Sequence, residues 1–119
     1  MTAAEQLKAF TAIKPCSFST GELLCFLNGV EGELYAVTPS AGEFLPFTEE
    51  DMAERQLLLS GRWTDIYTAY LSAETELYGG NIAAYANFAA LYNSRLGEYR
   101  RELFDTRRTD SPVRFQNLY

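Results

Sequence analysis

Histidine is absent from this 119-residue chain, which removes the side chain that most often moves protons near neutral pH. What remains for chemistry is carboxylate, thiol and phenol. Glu49, Glu50, Asp51 and Glu54 cluster in sequence, but they lack the alternating oxygen ligands and the glycine of a calcium loop and read as a solvated loop. Glu74 and Glu76 flank a turn and point to different faces, so they do not make a paired-carboxylate site. Cys16 and Cys25 lie nine residues apart without a Cys-x-x-Cys motif; with no histidine to complete a zinc site, they read as small buried hydrophobes in a reducing compartment. No G-x-S-x-G, phosphate loop or dinucleotide fingerprint is present. The chain is therefore expected not to be an enzyme and to need no cofactor or metal. A pocket with convergent carboxylates and tyrosines would be the observation to revive catalysis.

Phenols and guanidinium groups carry the stronger signal. Tyr67, Tyr70, Tyr78, Tyr85, Tyr92 and Tyr99 form a stripe that reads first as core and boundary packing. Phe88, Leu91 and Arg95 form a second row on the last helix, and a helix apolar on two sides has two neighbours, in the same fold or in another subunit. Arginine beside aromatic residues is a combination enriched at interfaces. The interface candidates are Arg95, Tyr99, Arg100 and Arg101, followed by Arg107, Arg108, Arg114, Phe115, Leu118 and Tyr119 in the tail. The segment from Pro112 to Tyr119 fits an extended arm as well as disorder. Docking on a neighbour, with strand addition as one mode, and docking back on its own domain are both open.

These residues need a scaffold, and local patterns predict a mainly α single domain over 1–119, with about four helices and a long C-terminal helical hairpin. At this length a core forms without disulfide staples. Thr2-Ala3-Ala4-Glu5 and Ser19-Thr20-Gly21-Glu22 have the form of capping boxes, opening two N-terminal helices within 1–38. Lys14-Pro15 ends the first, since the residue before proline is pushed out of the helical region. In the second, Leu23, Leu27, Val30 and Leu34 recur at helical spacing. Gly29 and Gly32 lie inside it, each costing up to about 1 kcal/mol relative to Ala; close helix packing is one reason to carry them and a break near Gly32 the other. Residues 39–61 read as a loop or a short hairpin, with 43–47 and 56–60 as two strands; a helical turn from Glu49 to Leu59 is the competing assignment. The helical hairpin spans 62–105. Trp63, Ile66, Tyr70, Ala73 and Leu77 line its first helix, with Thr64 or Asp65 as cap, and Ile82, Tyr85, Ala89, Tyr92, Leu96, Tyr99 and Leu103 line the second. Gly79-Gly80 supplies the left-handed turn and Asn81 the next cap. The second helix is expected to end near Asp105, leaving 106–119 as an extended tail.

Charge is unevenly distributed. The net charge is −6, with acids dominating residues 1–94 and six arginines against four acids in 95–119. An acidic body with a basic end suits head-to-tail contact between identical subunits, while a solvated helix terminus favoured by the helix dipole is the simpler account. The acidity argues against specific nucleic-acid binding. The N-terminus lacks the charged and apolar regions of a signal peptide, and no apolar stretch approaches the roughly 20 residues needed to cross a bilayer. A cytoplasmic protein without membrane contact is expected.

The order Leu57-Leu58-Leu59, Trp63-Thr64-Asp65-Ile66-Tyr67, Tyr70-Leu71, Glu76, Tyr85-Ala86-Asn87, Phe88-Ala89-Ala90-Leu91-Tyr92-Asn93 and Tyr99-Arg100-Arg101 resembles small head-tail connector proteins of tailed phages and prophages of Firmicutes. The upstream phrase Lys14-Pro15, Ser19, Leu24, Leu27, Glu31-Gly32-Glu33-Leu34-Tyr35 is similar to their N-terminal part. The pattern differs in the tail, where Asp105-Thr106-Arg107-Arg108-Thr109-Asp110 stands in place of a shorter ending. The resemblance implies a non-catalytic helical subunit without cofactor. It would assemble with copies of itself as a ring between portal and tail proteins, in the bacterial cytoplasm and then the virion neck. A prophage or host regulatory adaptor that binds one protein partner through the aromatic-arginine surface is the alternative, and portal, capsid and tail genes beside this one would separate the two.

Overall fold

The computed structural model describes residues 1–109, with side chains through Asp105. Among these residues there are four α-helices and two 3₁₀ turns: α1 (Ala3–Ile13), α2 (Thr20–Val37), a turn at Pro39–Ala41, a turn at Gly61–Thr64, α3 (Asp65–Tyr78) and α4 (Ile82–Thr109). The mainly helical prediction holds.

Both capping boxes form. Thr2 accepts from the Glu5 amide while Glu5 accepts from the Thr2 amide, and Ser19 and Glu22 do the same at α2. Each motif satisfies donors that a helix start would leave unpaired. The α1 helix stops at Lys14, as Pro15 requires. The α2 helix runs unbroken through both glycines, and packing explains the first of them: a Cβ at Gly29 would lie 3.1 Å from the Tyr70 hydroxyl. At the hairpin turn the Asn81 amide donates to Glu76 O at 2.9 Å and the Gly80 amide to Leu77 O at 3.2 Å, with Gly80 at φ 87°. That is a Schellman closure, which needs a left-handed residue. Asn81 then accepts from the Ala84 amide at 3.2 Å and caps α4.

The core follows the periodic rows. Leu23, Leu27, Val30 and Leu34 of α2 are all buried, with Leu7 and Phe10 of α1 against them. The α3 helix is the hub, packing against each of the other three, and Ile66, Tyr67, Ala69, Leu71 and Ala73 are buried on it. Antiparallel α4 covers α3, burying Tyr92 and Tyr99. It continues to Thr109, past the end expected near Asp105.

Two local expectations are corrected. Residues 43–60 form no β-hairpin, and helical hydrogen bonding there stops at turns between Thr48 and Arg55. Two strands need each other's backbone, and here side chains satisfy those groups instead. The Asn28 amide mimics a strand neighbour, donating to Phe47 O at 3.0 Å and accepting from its N–H at 2.8 Å. The Arg55 guanidinium holds Leu45 O and Pro46 O. On the other side, the Leu57 amide donates to Met1 O at 3.0 Å, the Leu58 amide to Glu31 at 2.8 Å and the Leu59 amide to the Tyr67 hydroxyl at 3.0 Å. At α3, neither expected cap forms. Thr64 makes no side-chain cap bond and its hydroxyl donates back to Gly61 O, because the 3₁₀ turn at Gly61–Thr64 leads straight into the helix.

Candidate interaction surface

Arg95 and Tyr99, first among the interface candidates, are engaged within the chain. The Arg95 guanidinium donates to both oxygens of Asp65 at 2.8 and 3.1 Å, to Arg62 O at 3.0 Å, and to Glu98. It also lies over the Trp63 ring, 4.9 Å from its centroid, while Arg62 lies 4.2 Å from the same centroid. Tyr99 meets that ring edge-on at 5.5 Å, and its hydroxyl bonds Thr38 at 2.8 Å. Together they clamp α4 onto the start of α3 and the end of α2. Arg100 and Arg101 are exposed. Arg107 and Arg108 belong to the last turn of α4, with side chains outside the described residues, as are Arg114, Phe115, Leu118 and Tyr119.

The other candidates resolve simply. Asp51 pairs with Arg55 at 3.2 Å and closes the Thr48 turn, and no acid-and-cysteine group among the described residues could hold a metal ion. Glu76 pairs with Lys14, away from Glu74. Both cysteines are free thiols, but Cys25 is exposed rather than buried, since it sits on α2 off the row of Leu23, Leu27, Val30 and Leu34. A hollow of about 260 Å³ between α1 and α2, lined by Leu7, Leu23 and Met52 with Lys8 among its walls, is small beside ordinary ligand pockets of roughly 300–1,000 Å³.

A different cluster emerges where α2, α3 and α4 meet. Tyr92 donates its hydroxyl to Glu33 and packs edge-on against Tyr70, ring centroids 5.1 Å apart. Burial pushes the Tyr70 hydroxyl up to about 12, helped by the negative charges of Glu74 and Glu33 and by neighbouring Tyr78 and Tyr85. Burial and hydrogen bonding to Glu33 raise Tyr92 as well. Burial, then the charge of Glu33, lift the Glu74 carboxyl above its ordinary range. Phenols so placed remain protonated hydrogen-bond donors beside two carboxylates. Neither Glu33 nor Glu74 has an ion-pair partner among the described residues. Carboxylates and tyrosines thus converge, but on a face open to solvent, with Tyr78 66% exposed, and not in an enclosed pocket.

The sequence contained a signal for this face that composition obscured. Tyr70, Glu74 and Tyr78 recur every four residues on α3, Gly29 and Glu33 repeat that step on α2, and Tyr85 and Tyr92 lie two turns apart on α4. Where the rows converge, the Tyr70 hydroxyl fits against Gly29, where a Cβ would crowd it. Comparison of the chain with protein-family models, with curated proteins and with solved structures gives no match.

Proposed function

We propose that this chain is a non-catalytic structural subunit of the head-tail connector type, joining copies of itself in a ring between a phage portal and its tail. The resemblance running from Lys14 to Arg101 motivates the reading. The observation that carries it is the spatial separation of opposite charge on one rigid body. Among the described residues neither Glu33, which accepts from Tyr92, nor Glu74, beside Tyr70, has an ion-pair partner, while exposed Arg100 and Arg101 stand farther along α4 than Tyr92. From Tyr92 to Arg100, α4 advances about 12 Å. Patches of opposite sign displaced in this way suit a head-to-tail contact, which closes a ring or extends a filament. No helix among the described residues is long and apolar enough to cross a membrane, compatible with assembly in the cytoplasm.

The test is to mix purified protein with the portal encoded beside it and to examine the product by electron microscopy. Rings of this protein on the portal are the expected result. Absence of association across a range of protein and salt concentrations would overturn the reading.

A further inference from the structure

The tyrosine-glutamate face has the composition of a binding surface for a cationic chain segment, and the same sequence contains one. Within residues 106–119, Arg107, Arg108 and Arg114 stand against a single acid, Asp110, with Phe115, Leu118 and Tyr119 interleaved. We infer that this segment of one copy docks across the Glu33–Tyr70–Glu74–Tyr92 face of a second copy. The inference deepens the connector reading and rests on it for the side-by-side placement of copies.

Charge complementarity is the first argument. Glu33 and Glu74 repel one another across Tyr70, and among the described residues no cation pairs with either, so a guanidinium placed there relieves the repulsion and gains charge-assisted hydrogen bonds. The exposed ring of Tyr78 beside them adds a surface on which arginine stacks, as Arg62 and Arg95 already stack on Trp63 within this fold. The exposure of Glu33 and the 66% exposure of Tyr78 leave the approach open.

Reach decides between the chain's own tail and a neighbour's. Glu74 lies one helical turn from Tyr70 toward the hairpin turn, and Tyr70 packs on Tyr92 while Trp63 packs on Tyr99, so Glu74 is level with the stretch of α4 near Phe88. From there to Thr109, α4 advances about 32 Å. Arg107 and Arg108 are fixed in the final turn. Arg114 is five residues past Thr109, which span about 17 Å at full extension, and its side chain adds only a few ångströms more. The chain's own arginines therefore fall short of Glu74, whereas those of a second copy have no such limit. The contact is heterologous, pairing the end of one subunit with the helical face of the next.

A fluorescent peptide of residues 106–119, titrated into the full-length protein and followed by anisotropy, tests the pairing. Glu74→Lys should weaken binding at least tenfold, and a peptide carrying glutamate at positions 107, 108 and 114 should bind Glu74→Lys better than it binds the wild type. Glu74 makes no ion pair among the described residues, so thermal melting should show the variant folded; Glu74→Gln provides a milder substitution should Glu74→Lys not fold. Equal affinity of the natural peptide for wild type and a folded Glu74 variant overturns the inference. The portal separates the two readings. If Glu74→Lys forms rings on it as well as the wild type, the pairing is wrong and the connector reading stands. If peptide binding depends on Glu74 while the wild type forms no rings, the pairing stands and the connector reading falls.

Discussion

Replacing Tyr67 by Phe removes one oxygen and should cost this fold a large share of its stability. Tyr67 and Glu31 are fully buried. The Tyr67 hydroxyl donates to Glu31 Oε1 at 2.7 Å and accepts from the Leu59 amide at 3.0 Å, while Glu31 Oε2 accepts from the Leu58 amide at 2.8 Å. One hydroxyl therefore ties α3 to α2 and to the strandless segment that follows Gln56. Its loss takes a hydrogen bond from a carboxylate, worth about 1.5–3 kcal/mol, and orphans a buried amide, which costs about 1–3 kcal/mol. Neighbouring effects overlap, so the expected loss is about 3–4 kcal/mol from a total of roughly 5–15 kcal/mol for a domain of this kind. Urea unfolding followed by the fluorescence of Trp63, the chain's single tryptophan, measures it. Amide hydrogen exchange should accelerate at Leu58 and Leu59 before it does in the core of α2. Removing both polar partners in Glu31→Leu/Tyr67→Phe should destabilise by less than the sum of the single changes, because an apolar pair leaves no orphaned carboxylate. A loss below about 1 kcal/mol for Tyr67→Phe, or strict additivity in the double variant, would refute the reasoning.

Burial raises the Glu31 carboxyl above its ordinary value of 4.5 in the folded protein, against the opposing bonds from Tyr67 and Leu58. The folded state thus binds that proton more tightly than the unfolded chain, and this group's favourable contribution declines as pH rises from about 4.5 through the raised folded value; a stability difference between wild type and Glu31→Gln that does not change across that window contradicts it. Gly32→Ala should stabilise by about 0.5–1 kcal/mol through helix propensity, since its new Cβ meets only Phe44 at 3.6 Å, whereas Gly29→Ala forces the Tyr70 hydroxyl from 3.1 Å and should gain less; thermal melts of the two rank them. Gly80→Ala should cost about 1–2 kcal/mol in the same measurement although nothing lies within 4 Å of the added methyl, because φ 87° is strained for any residue with a Cβ.

Most of the helical scaffold was legible from local chemistry. Thr2 with Glu5, and Ser19 with Glu22, cap helices through partners three residues away; Gly80 and Asn81 close and reopen the hairpin within one turn; Leu23, Leu27, Val30 and Leu34 share a face by periodicity alone. These features need no knowledge of the rest of the chain. The segment 43–60 was not legible, because its backbone donors and acceptors are satisfied by Asn28, Glu31, Arg55 and Tyr67, and three of these, Asn28, Glu31 and Tyr67, lie on helices whose approach no local pattern reports. The same holds for the arginine and tyrosine candidates. Sequence marked Arg95 and Tyr99 as interface residues by type, and only the packing of α4 on Trp63, Asp65 and Thr38 engaged them internally. Glu33 and Glu74 stand far apart along the chain and belong to no motif, yet the packing of α2 on α3 at Gly29 and the α3–α4 hairpin place both beside Tyr70. By itself the sequence determined where helices start, stop and turn their apolar sides, since capping and periodicity act within a few residues. Tertiary structure alone decided which polar groups are consumed inside the fold and which remain uncompensated on its surface, because that outcome depends on distances between residues that only folding brings together.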